Sequence, residues 1–449
     1  TDEIRFLPAC SPLDPPQLLR ERAPGVEMRV AHHGRHFYIV TNDQAPAGRV
    51  VRAPVTEPTR WREILPHRAD RLIERIDVFR GHLAVQVRRR GLSELFIIDL
   101  SSGRRHTVRF GEPSYELTVL DNPEFDTGFL RFSYSSPLSP RTIYDYDMSA
   151  DFSRARKVGE VRGAWDPAAY RLDRIFAPAT DGARIPITLL YRRGIRRSGH
   201  NPLYLEAYGA YGLNASLAFS ADRFSLVDRG YVYAIAHVRG GQELGPDWYE
   251  QGRLHQKPNT FSDYIACTEH LIRERWTGPG RVVVSGTSAG GMLAGVVANQ
   301  RPELFQAVVA NVPFVDVLST MEDPQLTLTA SEYDEWGHPQ KAEDHALIRS
   351  YSPYDNVKAQ AYPHMLVLAA YNDTRVPFWE AARWTARLRA RKTDDNLLLL
   401  KTTMDTGHTG QPGRLAHLHE RALEYAFLLA VEDLDSRPTA AARRRPANP

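Results

Sequence analysis

The chain has 449 residues, 42% hydrophobic and 25% charged, with a formal net charge of +3 and two cysteines. That is the balance of a globular protein long enough for two domains, and its small, scattered charge speaks against a nucleic-acid-binding face. No apolar run has the length of a membrane span, no basic-then-apolar leader opens the chain, and Cys10 and Cys267 make neither a disulfide framework nor a metal cluster. The expectation is therefore no membrane, no nucleic acid, no metal and no cofactor, with a reducing cytoplasm as the simplest location.

Residues 1–172 repeat. Apolar, strand-forming stretches recur as "HFYIVTN" from His36, "HLAVQVR" from His82 and "FLRFSYS" from Phe129. Each has a strand before it ("VEMRVAH", "RIDVFRG", "YELTVLD"), a second after it ("RVVRAPV", "ELFIIDL", "TIYDYDM") and a third beyond ("WREILPH", "RHTVRF", "ARKVGEV"). Four short strands per unit is the rhythm of a propeller blade. This predicts a partial β-propeller of about three blades, with a possible strand remnant in "EIRFLPA", where closed propellers have about four to eight. Either the chain is part of a longer protein or the array stays open, with association through exposed blade edges as the alternative to a monomer. An irregular all-β domain is the alternative to the propeller.

From 173 to 435 strands alternate with helices, the signature of an α/β domain with a mainly parallel sheet. The strands read as "PLYLEAYG", "YVYAIAHV", "RVVVSG", "AVVANV", "HMLVLAA" and "NLLLLKT"; helices read as "SDYIACTEHLIRERW", "FWEAARWTARLRARK" and "RLAHLHERALEYAFLLAVEDL". The remaining 436–449 are a Pro/Ala/Arg tail expected to be disordered.

The densest chemical signal is "VVVSGTSAGGMLAGVV", which runs from Val282 to Val297. A buried strand enters Gly286-Thr287-Ser288-Ala289-Gly290 and a small-residue helix leaves it. Flanking glycines let strand and helix pass closely and leave a serine hydroxyl exposed at the turn, the nucleophile elbow of an α/β-hydrolase. A serine needs a base, and the base an orienting acid, which follow the serine in the order acid, then histidine. The turn after "HMLVLAA" offers Asp373; the turn after "NLLLLKT" offers His408. Asp405 is a rival acid, and His237 ends a strand but precedes the serine. The oxyanion of the tetrahedral intermediate needs donors: the Ala289 N–H is one by construction, and "AYGAYG" offers tyrosine hydroxyls for another, unless those rings are a core pair in a turn.

These residues, with "HVRGGQELGPDWYEQG", "NTFSDYIACTEHLI", "SEYDEWG", "SYSPYDNV", "NDTRVPFWEAARW" and "MDTGHTGQPGR", resemble the prolyl oligopeptidase family, and most of all its oligopeptidase B branch. The resemblance implies an α/β-hydrolase domain preceded by a propeller, and a cytoplasmic serine peptidase that cuts short peptides after Arg or Lys. It implies Ser288, Asp373 and His408 as the triad, Tyr208 beside the Ala289 N–H in the oxyanion hole, and Arg375 on a substrate carbonyl. It also implies Glu332 and Asp334 as acids for the substrate's basic side chain, with Phe314 and Tyr211 as pocket aromatics. Read without the resemblance, "SEYDEWG" is a solvated acidic loop. Ser216 and Ala218 stand where the branch carries acids that favour a second basic residue, so a dibasic preference is not implied. The first blades of the family's pattern have no counterpart. A broad esterase and a catalytically silent propeller-hydrolase fragment are the alternatives.

Overall fold

The computed structural model describes residues 1–149, 152–156, 166–413 and 415–436. Three antiparallel four-stranded meanders follow one another: Met28–His33, His36–Thr41, Arg49–Pro54 and Arg62–Leu65; Leu72–Val78, His82–Arg89, Leu92–Asp99 and Arg105–Val108; Glu116–Val119, Phe129–Ser135, Thr142–Asp147 and Phe152–Arg156. The last was expected at 155–161, of which 157–161 fall outside the described residues. Ahead of them Ile4–Phe6 pairs antiparallel with Gln17–Arg20.

The middle meander shows why the alternation is so regular. Side chains of a strand point to opposite faces in turn. Leu83, Val85 and Val87 join one buried cluster with Tyr38, Val40 and Val50 of the first meander. Ala84 and, from the next strand, Leu95 and Ile97 join another with Leu117, Leu130 and Phe132 of the third. Both faces of the sheet are buried between neighbours, as stacked blades require.

The chain forms two compact units: Thr1–Pro167 with Ser216–Phe219 and Gln242–Trp248, and the rest from Ala168 onward. The boundary expected at 172/173 falls inside the first strand of the second unit. That unit holds one eight-stranded sheet: β1 (Tyr170–Pro178), β2 (Arg184–Arg192), β3 (Leu203–Glu206), β4 (Val232–Ala236), β5 (Val282–Thr287), β6 (Phe305–Asn311), β7 (His364–Ala370) and β8 (Leu398–Thr403), in the spatial order β1-β2-β4-β3-β5-β6-β7-β8. Only β2 runs against the others. The β1–β2 hairpin is an addition to the six expected strands. An Asp181-Gly182 turn closes it, Gly182 at φ +88° and the Asp181 carboxylate accepting the Ala183 N–H.

The helices that bear on the site are α1 (Pro258–Arg273), α2 (Ala289–Gln300), α3 (Thr329–Trp336), α4 (Phe378–Arg391) and α5 (Ala416–Ser436). The expected tail, from residue 437 on, lies outside the described residues. Among the described residues no helix is long and apolar enough to cross a membrane.

A buried ion pair ties α1 to the exit of β4. Arg239, 2% exposed, holds Asp263 of α1 through Nε at 2.8 Å and Nη2 at 2.6 Å, and the Arg239 N–H donates to the same carboxylate. Thr260 of α1 donates to the Arg239 carbonyl. The same guanidinium holds the half-exposed Asp181 carboxylate through Nη1 at 2.5 Å, so removing Asp263 takes away the buried partner and leaves the exposed one. Asp263→Ala is therefore expected to destabilise the protein by about 1–3 kcal/mol, read as a lower urea midpoint, whereas an unchanged midpoint would mean the pair contributes nothing.

Candidate active site

Ser288 sits between β5 and α2 with φ +58° and ψ −120°, a backbone conformation that costs a non-glycine residue energy and that surrounding structure must hold. The hold is visible. The Ser288 N–H donates to the Asn311 carbonyl at 2.9 Å, and the Ser288 carbonyl accepts the N–H groups of Gly291 and Phe314. A Cβ on Gly286 would lie 2.0 Å from the Gly290 carbonyl oxygen, and one on Gly290 would lie 2.7 Å from that of Ala207, so both positions exclude a side chain. Ala289 is the first residue of α2, where the backbone N–H has no intrahelical acceptor.

Asp373 and His408 leave the ends of the adjacent parallel strands β7 and β8. The loops are stitched together: the Asn372 N–H donates to the Thr406 carbonyl at 3.0 Å and the Asn372 side-chain amide to the Met404 carbonyl at 3.1 Å. This brings His408 Nδ1 within 2.7 Å of Asp373 Oδ2. The Asp373 carboxylate is fully buried, and its other oxygen accepts the N–H groups of Arg375 and Val376 at 2.8 and 2.9 Å. Asp405, the rival acid, is exposed. His237 is buried against the Thr188 hydroxyl at 3.0 Å.

Ser288 and Asp373 line a cavity of about 520 Å³ together with Tyr208, Tyr211, Phe314, Glu332 and Arg375. His408 lines a separate space with Thr287. Burial raises the Tyr208 phenol's pKa above its ordinary value, while a hydrogen bond with the Ser288 side chain pulls it back. Glu332 accepts the Tyr211 hydroxyl at 2.6 Å and the Trp336 indole N–H at 2.7 Å, both on Oε2. Burial and the Glu332 charge push the Tyr211 phenol well above its usual range, so it stays a donor.

Asp334 departs from expectation. It is exposed and does not line the cavity; its backbone carbonyl accepts Arg253. The acid that turns inward beside Glu332 is Glu335, 4% exposed, which does not line the cavity but accepts the Tyr211 N–H at 2.9 Å and the Tyr249 hydroxyl at 2.5 Å. The reason is helical pitch: on α3 residues three apart share a face, as Glu332 and Glu335 do, and a residue two away points elsewhere. Glu380 of α4 was also missed. Its fully buried carboxyl, pushed up to about 7 by burial, accepts the N–H groups of Val315 and Asp316 and the Thr320 hydroxyl, fixing the chain that follows Phe314. Ser216, in the unit that carries the meanders, donates to Glu116 at 2.8 Å.

Such an arrangement holds the groups that covalent acyl transfer uses: a half-buried hydroxyl on a strained turn, an imidazole bonded to a buried carboxylate, and, beside the hydroxyl, a phenol and a helix-start N–H. Residues 217–433 match the model of the prolyl oligopeptidase family, and residues 1–158 match that of the prolyl oligopeptidase N-terminal beta-propeller domain. The chain is 39% identical to Protease 2 of Moraxella lacunata, over 96% of this chain and 62% of that protein. It is 40% identical to dipeptidyl aminopeptidase BI of Pseudoxanthomonas mexicana, over 96% of this chain and 60% of that one. Among solved structures it resembles oligopeptidase B of Trypanosoma brucei with covalently bound antipain, with a TM-score of 0.89 and 38% identity over 95% of this chain and 62% of the other. The chain thus spans about three fifths of the length of these relatives.

Proposed function

The chain belongs to the prolyl oligopeptidase family, and from that premise we propose that it is a serine oligopeptidase cutting short peptides on the carboxyl side of Arg or Lys. Ser288 Oγ attacks the scissile carbonyl while His408, through the ring nitrogen not bonded to Asp373, takes the hydroxyl proton. Tyr208 and the Ala289 N–H receive the oxyanion. His408 then gives the proton to the leaving amine, and the acyl ester on Ser288 is hydrolysed by a water that His408 deprotonates in turn. Arg375 receives a substrate backbone carbonyl.

The observation that carries the specificity is Glu332. The Tyr211 hydroxyl and the Trp336 indole N–H both bond to its Oε2, in the cavity that Ser288 also lines. With Oε2 taken by two neutral donors, the carboxylate has Oε1 to offer a guanidinium or ammonium, with Phe314 and Tyr211 as aromatic walls. A panel of blocked chromogenic peptides ending in Arg, Lys, Pro or Ala tests this; faster turnover on Pro or Ala than on Arg would refute the assignment. Glu332→Gln is expected to lower kcat/KM on the Arg peptide by roughly 10²–10³-fold, as for truncating one partner of a buried charge pair, with little effect on an Ala ester. Equal losses on both substrates would place Glu332 outside the specificity pocket.

The name of the Pseudoxanthomonas mexicana relative favours a second reading, release of dipeptides from a free amino terminus. Blocking the substrate's amino group separates the two: an oligopeptidase retains its rate and a dipeptidyl aminopeptidase loses it.

A further inference from the structure

Beneath this pocket lies a lysine that the chemistry above does not use. Lys257, one residue ahead of α1, is 1% exposed, rare for a residue type that is almost never fully buried unless paired. Its ammonium donates to the Gly209 carbonyl at 2.5 Å and the Gly252 carbonyl at 3.1 Å, and lies 4.9 Å from the centre of the Trp336 ring. Each contact leads to a different part of the site. Gly209 directly follows Tyr208, the proposed oxyanion donor. Trp336, fully buried, gives its indole N–H to Glu332 and packs edge-on against Tyr211, ring centres 5.5 Å apart. The carboxylate whose charge supports the ammonium is Glu335, which fixes the Tyr211 N–H.

We propose that Lys257 is a positioning residue for the hydrolysis proposed above: its ammonium, while protonated, clamps the Tyr208 loop to Trp336 and Glu335, and so sets both the oxyanion donor and the specificity carboxylate. The inference rests on that reading of the site. Three donors around one nitrogen suit two carbonyls and an aromatic face. A neutral amine would have one donor fewer, would lose its attraction to the ring and would withdraw the ammonium charge that supports Glu335. The Gly209 loop and α3 would then no longer be held to each other. Burial pulls the Lys257 pKa down to about 8, with the Glu335 carboxylate working the other way. Around Glu335 stand the Tyr249 hydroxyl and, further out, Arg253 and Tyr351, whose own titrations it influences. Burial raises the phenols of Tyr208, Tyr211, Tyr249 and Tyr351, so none of them titrates downward into this range.

The sign is fixed by which form is active. Full activity requires the ammonium, so it is present below about pH 8 and lost as pH rises through that value. The experiment is kcat/KM against pH on a blocked Arg peptide, chosen because the substrate guanidinium keeps its charge throughout. The wild-type protein should lose about tenfold for each pH unit above the midpoint, as expected for one essential proton. Lys257→Met should be slower at pH 7 by roughly 10–100-fold, the cost of a small misplacement, with kcat reduced and KM for Arg peptides raised, and should lack the alkaline limb. Lys257→Arg carries its charge at every accessible pH, so it should also lack the limb while retaining more of the activity at pH 7 than the Met variant. A wild-type profile flat from pH 7 to 9.5 would overturn the inference without any variant needing to fold. So would a Met variant with the wild-type limb. If the wild-type protein neither cleaves the Arg peptide nor labels at Ser288 at pH 7, the peptidase reading itself falls, and this inference with it.

Discussion

Ser288→Ala is expected to lower kcat/KM for an Arg peptide by roughly 10⁶-fold, because a nucleophile, its base and the orienting acid act as a unit and removing the nucleophile costs nearly as much as removing all three. The residual rate would come from the oxyanion donors and substrate binding alone. The fold should survive. Ser288 holds its turn through backbone groups, its N–H on the Asn311 carbonyl and its own carbonyl under Gly291 and Phe314, none of which the substitution touches. An Ala at φ +58° meets the same strain that Ser already does. Unchanged activity in a folded Ser288→Ala protein would assign the chemistry to another residue.

Asp373→Asn should cost about 10⁴-fold in kcat, with the fold again intact. An amide can keep Oδ1 on the N–H groups of Arg375 and Val376, so the loop loses nothing there. It then turns an N–H₂ donor toward His408 Nδ1, where the carboxylate now accepts a hydrogen bond at 2.7 Å. The imidazole can answer only by placing its proton on the other nitrogen, and a nitrogen already protonated cannot take the Ser288 proton. Asp373→Ala would add a second injury by releasing both backbone donors, which makes the Asn variant the cleaner test. An Asn variant within tenfold of wild type would exclude the Asp373–His408 pair from the chemistry.

The elbow was legible because its demands are local. A strand, a positive-φ serine and two glycines at fixed offsets admit few other residues, and the close approaches at Gly286 and Gly290 are what those glycines are for. The meanders were legible for a similar reason: strands buried on both faces repeat apolar residues at close intervals, as His82–Arg89 does. The β1–β2 hairpin was not. In β1, Arg171, Asp173 and Arg174 interrupt the alternation, and its central residues are half-buried rather than cleanly in or out. The acidic run on α3 showed that carboxylates were there but not which faced inward, since a short stretch carries no phase of its own. Lys257 was the least visible. A lysine reads as surface, and what buries this one is the meeting of Gly209, Gly252 and Trp336, which lie far apart along the chain.

The proposed hydrolysis stands on Ser288 being an activated nucleophile. Reaction of the protein with a fluorophosphonate at pH 7, followed by peptide mapping, addresses it most directly, because such reagents report a serine whose proton a neighbouring base removes and need no knowledge of the substrate. A single adduct on Ser288 is expected, formed far more slowly when Asp373 is Asn. No adduct, or one on a different serine, would contradict it.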